Sequence, residues 1–215
     1  MAAHPRRFGL SAAREAILAR IRAAVIPSAE ADPAIDSIPR EYLTAHHDDD
    51  IVTLFAERAA DYRAVVTRVA AGKVADAIGG VLRPDGRYVI PAGLPAAWLP
   101  GSVEAVGDDP RLSAAELDQV AGVITGCTVA IAETGTVILS HGPGEGRRAL
   151  TLVPDFHLVV VRADQVAADL SGALARLDPA RPHTLISGPS ATSDIELIRV
   201  EGVHGPRTLH IVIAG

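Results

Sequence analysis

The sequence predicts an α/β protein with a mostly parallel sheet flanked by helices, and three observations predict it. Apolar residues make up 48% of the 215 positions but aromatic ones only 3%, so the core must be built from Val, Ile, Leu and Ala, the composition of a buried parallel sheet under Ala-rich helices. Strand-like and helix-like periodicities alternate along the chain. The run from His157 to Val161 is apolar throughout, as a strand covered on both faces must be. The length suits one full core with an extension, not two large domains.

Each element has its own local cause. Ser11 can cap a helix in which Ile17, Leu18, Ile21 and Val25 recur at helical spacing until Pro27. Residues 27 to 47 are rich in Pro, Asp and Ala, so residues 1–47 are expected to form a helical arm and linker, and residues 48–215 the α/β domain. Such an arm docks on its own domain or on a neighbouring subunit, so a homo-oligomer stays open. Asp48 to Asp50 precede Ile51, Val52, Leu54, Phe55 and Ala59, placing negative charge at a helix start. With His46 and His47 these aspartates invite a metal reading, but capping is preferred because no distant ligand completes a cage.

Strands are then expected at 64–69, 88–91 and 103–106, with a short helix over 73–78 ended by Gly79-Gly80. Ser113 and Glu116 form a capping-box pattern opening a helix to about Ala121. Residues 123–139 suffice for two strands broken near Gly126 or Gly135. Asp164 is expected to cap a helix over 166–177, strands follow at 157–161 before it and 184–187 after it, and Thr208 to Ile213 closes the sheet.

Composition also excludes function classes. A net charge of −6 without a basic tail argues against nucleic acid and anionic membrane. Lys73 is the only lysine and no Walker motif occurs; the single cysteine, Cys127, rules out an internal disulfide, a Cys-based zinc site and a self-contained iron–sulfur cluster. With no apolar run of 18 residues and no signal-peptide pattern, a cytoplasmic protein with no metal site is expected. Serine-hydrolase and zincin signatures are absent from the sequence.

Chemistry-bearing residues collect in the last third. Glu133, Thr134, Gly135 and Thr136 interrupt two apolar runs, and a buried carboxylate there would need a partner or a pocket. Three Gly-Pro loops follow, at strand ends, where function gathers in open α/β sheets. The first joins Gly142, Gly144 and Gly146, whose backbone can approach a ligand, to Arg147 and Arg148. The second carries Ser190, Thr192, Ser193 and Asp194, and Ser193 to Glu196 again matches a capping box, so a helix start could complete an anion cradle. The third offers His204, by residue type the best acid or base, and Arg207. The alternatives are plain: turns that end strands, solvated arginines, a cap at Ser193 and a buried, unreactive Cys127.

Three segments carry a family resemblance: Cys127-Thr-Val-Ala-Ile-Ala-Glu-Thr-Gly-Thr136; Gly144-Glu-Gly-Arg-Arg148 with Leu152-Val-Pro-Asp-Phe-His157; and Gly188-Pro-Ser-Ala-Thr-Ser-Asp-Ile-Glu196 with Glu201-Gly-Val-His-Gly-Pro-Arg207. In this order they resemble the lactate utilisation protein C family (LutC/YkgG), also called the LUD domain. The resemblance implies a fold like that of the sugar-phosphate isomerase and CoA-transferase superfamily (NagB/RpiA-like) and a part in oxidising L-lactate to pyruvate. It implies partners too, one cysteine-rich and one carrying iron–sulfur clusters, and no cofactor on this chain. The expected function is therefore a component of a lactate utilisation system that binds a small carboxylate or phosphate-bearing ligand in a strand-end pocket. Glu133 would orient or deprotonate it, and Arg147 and Arg207 would hold its charge. A stand-alone CoA-transferase or isomerase using Glu133 as nucleophile, and a regulatory or interaction module, are the alternatives.

Overall fold

The computed structural model describes residues 10–24, 37–38, 50–192, 200–201 and 204–215. The chain divides into two compact units, Met1–Tyr42 and Leu43–Gly215. In the first, helix α1 (Leu10–Ala24) forms over the span whose apolar spacing predicts it. His46, His47, Asp48 and Asp49 lie outside the described residues.

Among its described residues the second unit holds sheets of six, four and two strands. Helix α2 (Ile51–Asp61) begins at Asp50, whose carboxylate accepts the Thr53 amide at 3.1 Å, so capping is observed at the last of the three aspartates. After it come β1 (Val65–Val69), helix α3 (Val74–Gly79), β2 (Arg87–Val89), β3 (Glu104–Val106) and helix α4 (Ala114–Asp118). Both bonds of the capping box at Ser113 and Glu116 are present. Residues 122–139 make three strands, β4 (Gly122–Thr125), β5 (Val129–Ile131) and β6 (Thr136–Leu139), because the chain breaks at Gly126 and again at the turn ending in Gly135. Then follow β7 (Phe156–Arg162), β8 (Val166–Ala167), helix α5 (Leu170–Leu174), β9 (Thr184–Ile186), β10 (Ala191–Thr192), β11 (Val200–Glu201) and β12 (Thr208–Ala214).

The main sheet has six parallel strands in the order β1-β12-β7-β4-β2-β3. Its central strands β7 and β12 are buried on both faces, which is why their sequences are apolar without alternation. The C-terminal strand thus inserts between β1 and β7 instead of closing an edge. A second, four-stranded sheet, β8-β5-β6-β9, is mixed, with β5 and β6 as an antiparallel hairpin. One core cluster joins α2 to β6, β7 and β12 through Phe55, Leu139, Val159 and Ile211, all fully buried. At about 25 cal/mol per Å² of apolar area removed from water, such side chains each contribute about 2 kcal/mol.

One expected helix is displaced. Asp164 pairs with Arg162 at 3.0 Å, and Val166–Ala167 pair with β5 as a strand; the helix starts later, where Asp169 accepts the Gly172 amide at 2.7 Å. Its apolar periodicity was compatible with either assignment, and the open edge of β5 decided it. The helix start expected at Ser193 lies outside the described residues.

Candidate functional site

Glu133 stands on the β5–β6 hairpin turn, not in an apolar interior. The turn spans Ala132 to Gly135, Glu133 is exposed, and its amide donates to the Ala168 carbonyl at 3.1 Å. The charge therefore needs no buried partner: the apolar runs on either side are strands, and the polar residues between them are the turn. Gly135 has φ +60°, and a Cβ there would lie 2.4 Å from the Ala59 nitrogen, so the turn presses on α2. Thr134 is exposed; its hydroxyl meets that of Thr136 at 2.7 Å, and Thr136 meets Ser187 at 2.8 Å.

The carboxylate buried here is that of Glu145, 5% exposed, in the middle of the glycine loop. It accepts the Thr128 hydroxyl and the Ser140 amide, both at 2.6 Å. These bonds, made in a low-dielectric setting, hold the loop to the end of β6. Ser140 Oγ also lies 3.0 Å from His183 Nδ1, while His183 Nε2 donates to the Asp178 carbonyl at 2.9 Å. His141, at φ +56°, donates from Nδ1 to the Gly146 carbonyl at 3.1 Å and meets Thr184 Oγ1 through Nε2 at 2.9 Å. The loop from Ser140 to Arg148 is thereby fixed at several points.

Its two arginines part company. Arg147 forks onto Asp108 at 2.7 and 2.9 Å and also donates to the Leu112 carbonyl at 2.6 Å. The Arg147 bond holds the Asp108 carboxyl below the usual carboxylate range. Arg207 is likewise engaged, forking onto Asp155 at 2.6 and 2.7 Å. Arg148, in contrast, opens a 3-10 turn (Arg148–Thr151), is exposed, and makes no ion pair among the described residues.

Arg148 lines a cleft of about 310 Å³ together with Thr151, His157, Ser187, Ser190 and His204. The second and third Gly-Pro loops meet here: Ser190 donates its amide to the Pro206 carbonyl at 2.8 Å, and Ser190 Oγ accepts the His204 amide at 3.1 Å. Gly188, at φ +81°, allows the chain to pass where a Cβ would stand 2.4 Å from the Tyr62 carbonyl oxygen. The floor is His157 and Leu209, paired in register near the N-terminal ends of β7 and β12. The cleft therefore opens at the end of the main sheet opposite to that favoured in α/β proteins, because β9 and the two loops wall it there.

The predicted cradle is thus split. Ser190 and His204 converge on the cleft, which Arg148 lines and Arg147 does not. Gly142 and Gly146 line a different hollow, Gly144 is buried against Gly93, and Glu133, Thr134, Arg147 and Arg207 do not line the cleft. Thr192 lies in β10, paired with Val200, and its side chain, like Ser193 and Asp194, lies outside the described residues.

His157 and Thr151 were missed in the sequence as cleft residues, and Arg148 was named there only beside Arg147, without being preferred to it. Adjacent arginines give no sign of which is already paired, and His157 reads as one more member of an apolar strand. Burial pushes the His157 imidazole down to about 4, with Nε2 2.8 Å from Thr125 Oγ1, so the ring is neutral at pH 7. Burial pushes the Cys127 thiol up, which leaves it inert as a nucleophile. No group of three or more His, Cys, Asp or Glu placed to hold a metal occurs among the described residues. No helix among them is long and apolar enough to cross a membrane.

Known proteins share this frame. Over 170 residues the chain is 48% identical to lactate utilization protein C of Deinococcus radiodurans, spanning 77% of this chain and 80% of that one. It is 35% identical over 121 residues to the uncharacterized protein YkgG of Escherichia coli, spanning 51% and 52%. A crystal structure of a DUF162 family protein from Deinococcus radiodurans superposes with a TM-score of 0.68 at 42% identity, over 77% of this chain and 97% of that one. The LUD domain model matches residues 53–214, and the chain belongs to the LUD domain family.

Proposed function

We propose that this protein is a component of a lactate utilisation system and that its cleft binds a small carboxylate such as lactate or pyruvate. The observation that carries this is Arg148, a guanidinium without an ion-pair partner among the described residues, set in a cleft whose other polar groups are hydroxyls and imidazoles. A forked cation matches a carboxylate, Ser190 and Ser187 can meet a hydroxyl or carbonyl oxygen, and His204 stands where it can exchange a proton. Relatives named lactate utilization protein C, at 48% and 37% identity, support the same pathway.

Electron transfer belongs to iron–sulfur and cysteine-rich partners in this proposal, since one cysteine falls short of what a cluster requires. The chain's own residues would hold and orient the acid while the partners accept its electrons. The decisive experiment reconstitutes lactate-dependent dye reduction from the three purified proteins, with and without this one. A strong dependence on the wild-type chain and a loss of at least tenfold with Arg148→Gln are expected. Equal rates without the chain would end the proposal.

A further inference from the structure

The groups that fasten the glycine loop make more contacts than they have hydrogens to fill. Glu145 Oε1 lies 2.6 Å from Thr128 Oγ1, which lies 2.8 Å from Ser140 Oγ, which in turn lies 3.0 Å from His183 Nδ1. The other ring nitrogen, Nε2, lies 2.9 Å from the Asp178 carbonyl oxygen, which can only accept, so Nε2 carries a hydrogen. Three contacts then remain for two hydroxyl hydrogens. With Glu145 ionised and the imidazole neutral, one contact sets lone pair against lone pair. Ser140 and Glu145 are 7% and 5% exposed, and Thr128 and His183 are half-buried, so water does not make up the deficit.

One added proton removes it in either of two ways. With the proton on His183 Nδ1, the hydrogens run from His183 to Ser140, from Ser140 to Thr128 and from Thr128 to the Glu145 carboxylate. With the proton on Glu145 Oε1, all three bonds reverse, and the Ser140 hydroxyl donates to a neutral imidazole. The N–H bond of His183 breaks as the O–H bond of Glu145 forms, and no heavy atom has to move. In both arrangements Glu145 Oε2 still accepts the Ser140 amide.

We propose that Glu145, Thr128, Ser140 and His183 form a proton relay holding one shared proton, which latches the glycine loop to the start of β9. The proton belongs to the pair of end groups and not to either alone. Thr184, next to His183, opens β9 and lines the cleft, as does Arg148 at the end of the loop, so the latch ties two of the cleft's walls together. It operates whatever ligand the cleft takes. The charged and titratable groups around it are Cys127, whose thiol feels the Glu145 charge, His141, bonded to Thr184, and Asp178 and Arg181 in the segment that carries His183, with Arg181 close to Gly142.

The test is urea unfolding of the full chain between pH 6.5 and pH 8. Over this interval the unfolded chain gives up its histidine proton while the folded relay keeps the shared one, so the folded state binds more protons and stability falls as the pH rises. The wild-type unfolding constant should grow about tenfold more across the interval than that of either of two variants. In Glu145→Gln the amide N–H supplies the third hydrogen and its oxygen accepts the Ser140 amide; in His183→Phe the third contact is gone. Nuclear magnetic resonance of the folded wild type at pH 7.5 reads the relay directly: the His183 Nδ1 and Glu145 carboxyl signals together should account for one proton. A bare Nδ1 beside a fully ionised Glu145, or the same pH dependence in all three proteins, would overturn the proposal.

Discussion

Glu145 Oε2 accepts the amide of Ser140 at 2.6 Å, closing the glycine loop on the strand that precedes it. Because the carboxylate is buried, its bonds to Thr128 and Ser140 substitute for water that cannot reach it. Glu145→Ala removes the acceptor of the buried Ser140 amide and one of the two acceptors of the Thr128 hydroxyl, and is expected to destabilise the protein by about 2–3 kcal/mol in urea unfolding. Glu145→Gln, which keeps one acceptor oxygen, should cost less.

The neighbouring arginines should separate stability from binding. Arg147→Gln breaks the fork on Asp108 and the bond to Leu112 and should lower stability by about 1–2 kcal/mol. Arg148→Gln should change stability by less than about 0.5 kcal/mol yet weaken lactate or pyruvate binding about tenfold in titration calorimetry. The reverse pattern would assign the ligand to the wrong guanidinium.

His157 gives the protein a pH dependence of known sign. Its pKa falls from 6.5 to about 4 on folding, so between those values the unfolded chain binds a proton that the folded one refuses. Stability is therefore full above about pH 6.5 and declines as the pH drops towards 4, by at most about 3 kcal/mol from this group. Comparing urea midpoints of the wild type and His157→Asn at pH 7 and pH 5 isolates it: the variant should lose less stability across that interval.

The β5–β6 turn offers a paired test. Gly135→Ala forces a left-handed backbone on alanine and sets its Cβ against the Ala59 nitrogen, so a loss of about 2–4 kcal/mol is expected. Glu133→Gln, in the same turn but exposed, should change neither the melting temperature nor lactate-dependent dye reduction.

Fold class, the capped helix starts at Asp50 and Ser113, the central strands and the family were legible along the chain, because each rests on local periodicity, caps or a contiguous motif. Tertiary structure alone decided which charges are occupied. Glu133 and Glu145 are both glutamates next to glycine or threonine, yet one stands exposed on a turn and the other is buried in the loop it organises. Arg147 and Arg148 are adjacent, but Asp108, far away in the chain, claims the first and leaves the second to the cleft. A carboxylate's partner is set by which strands lie side by side, and that information resides in sheet order and packing, not in the spacing of residues along the chain.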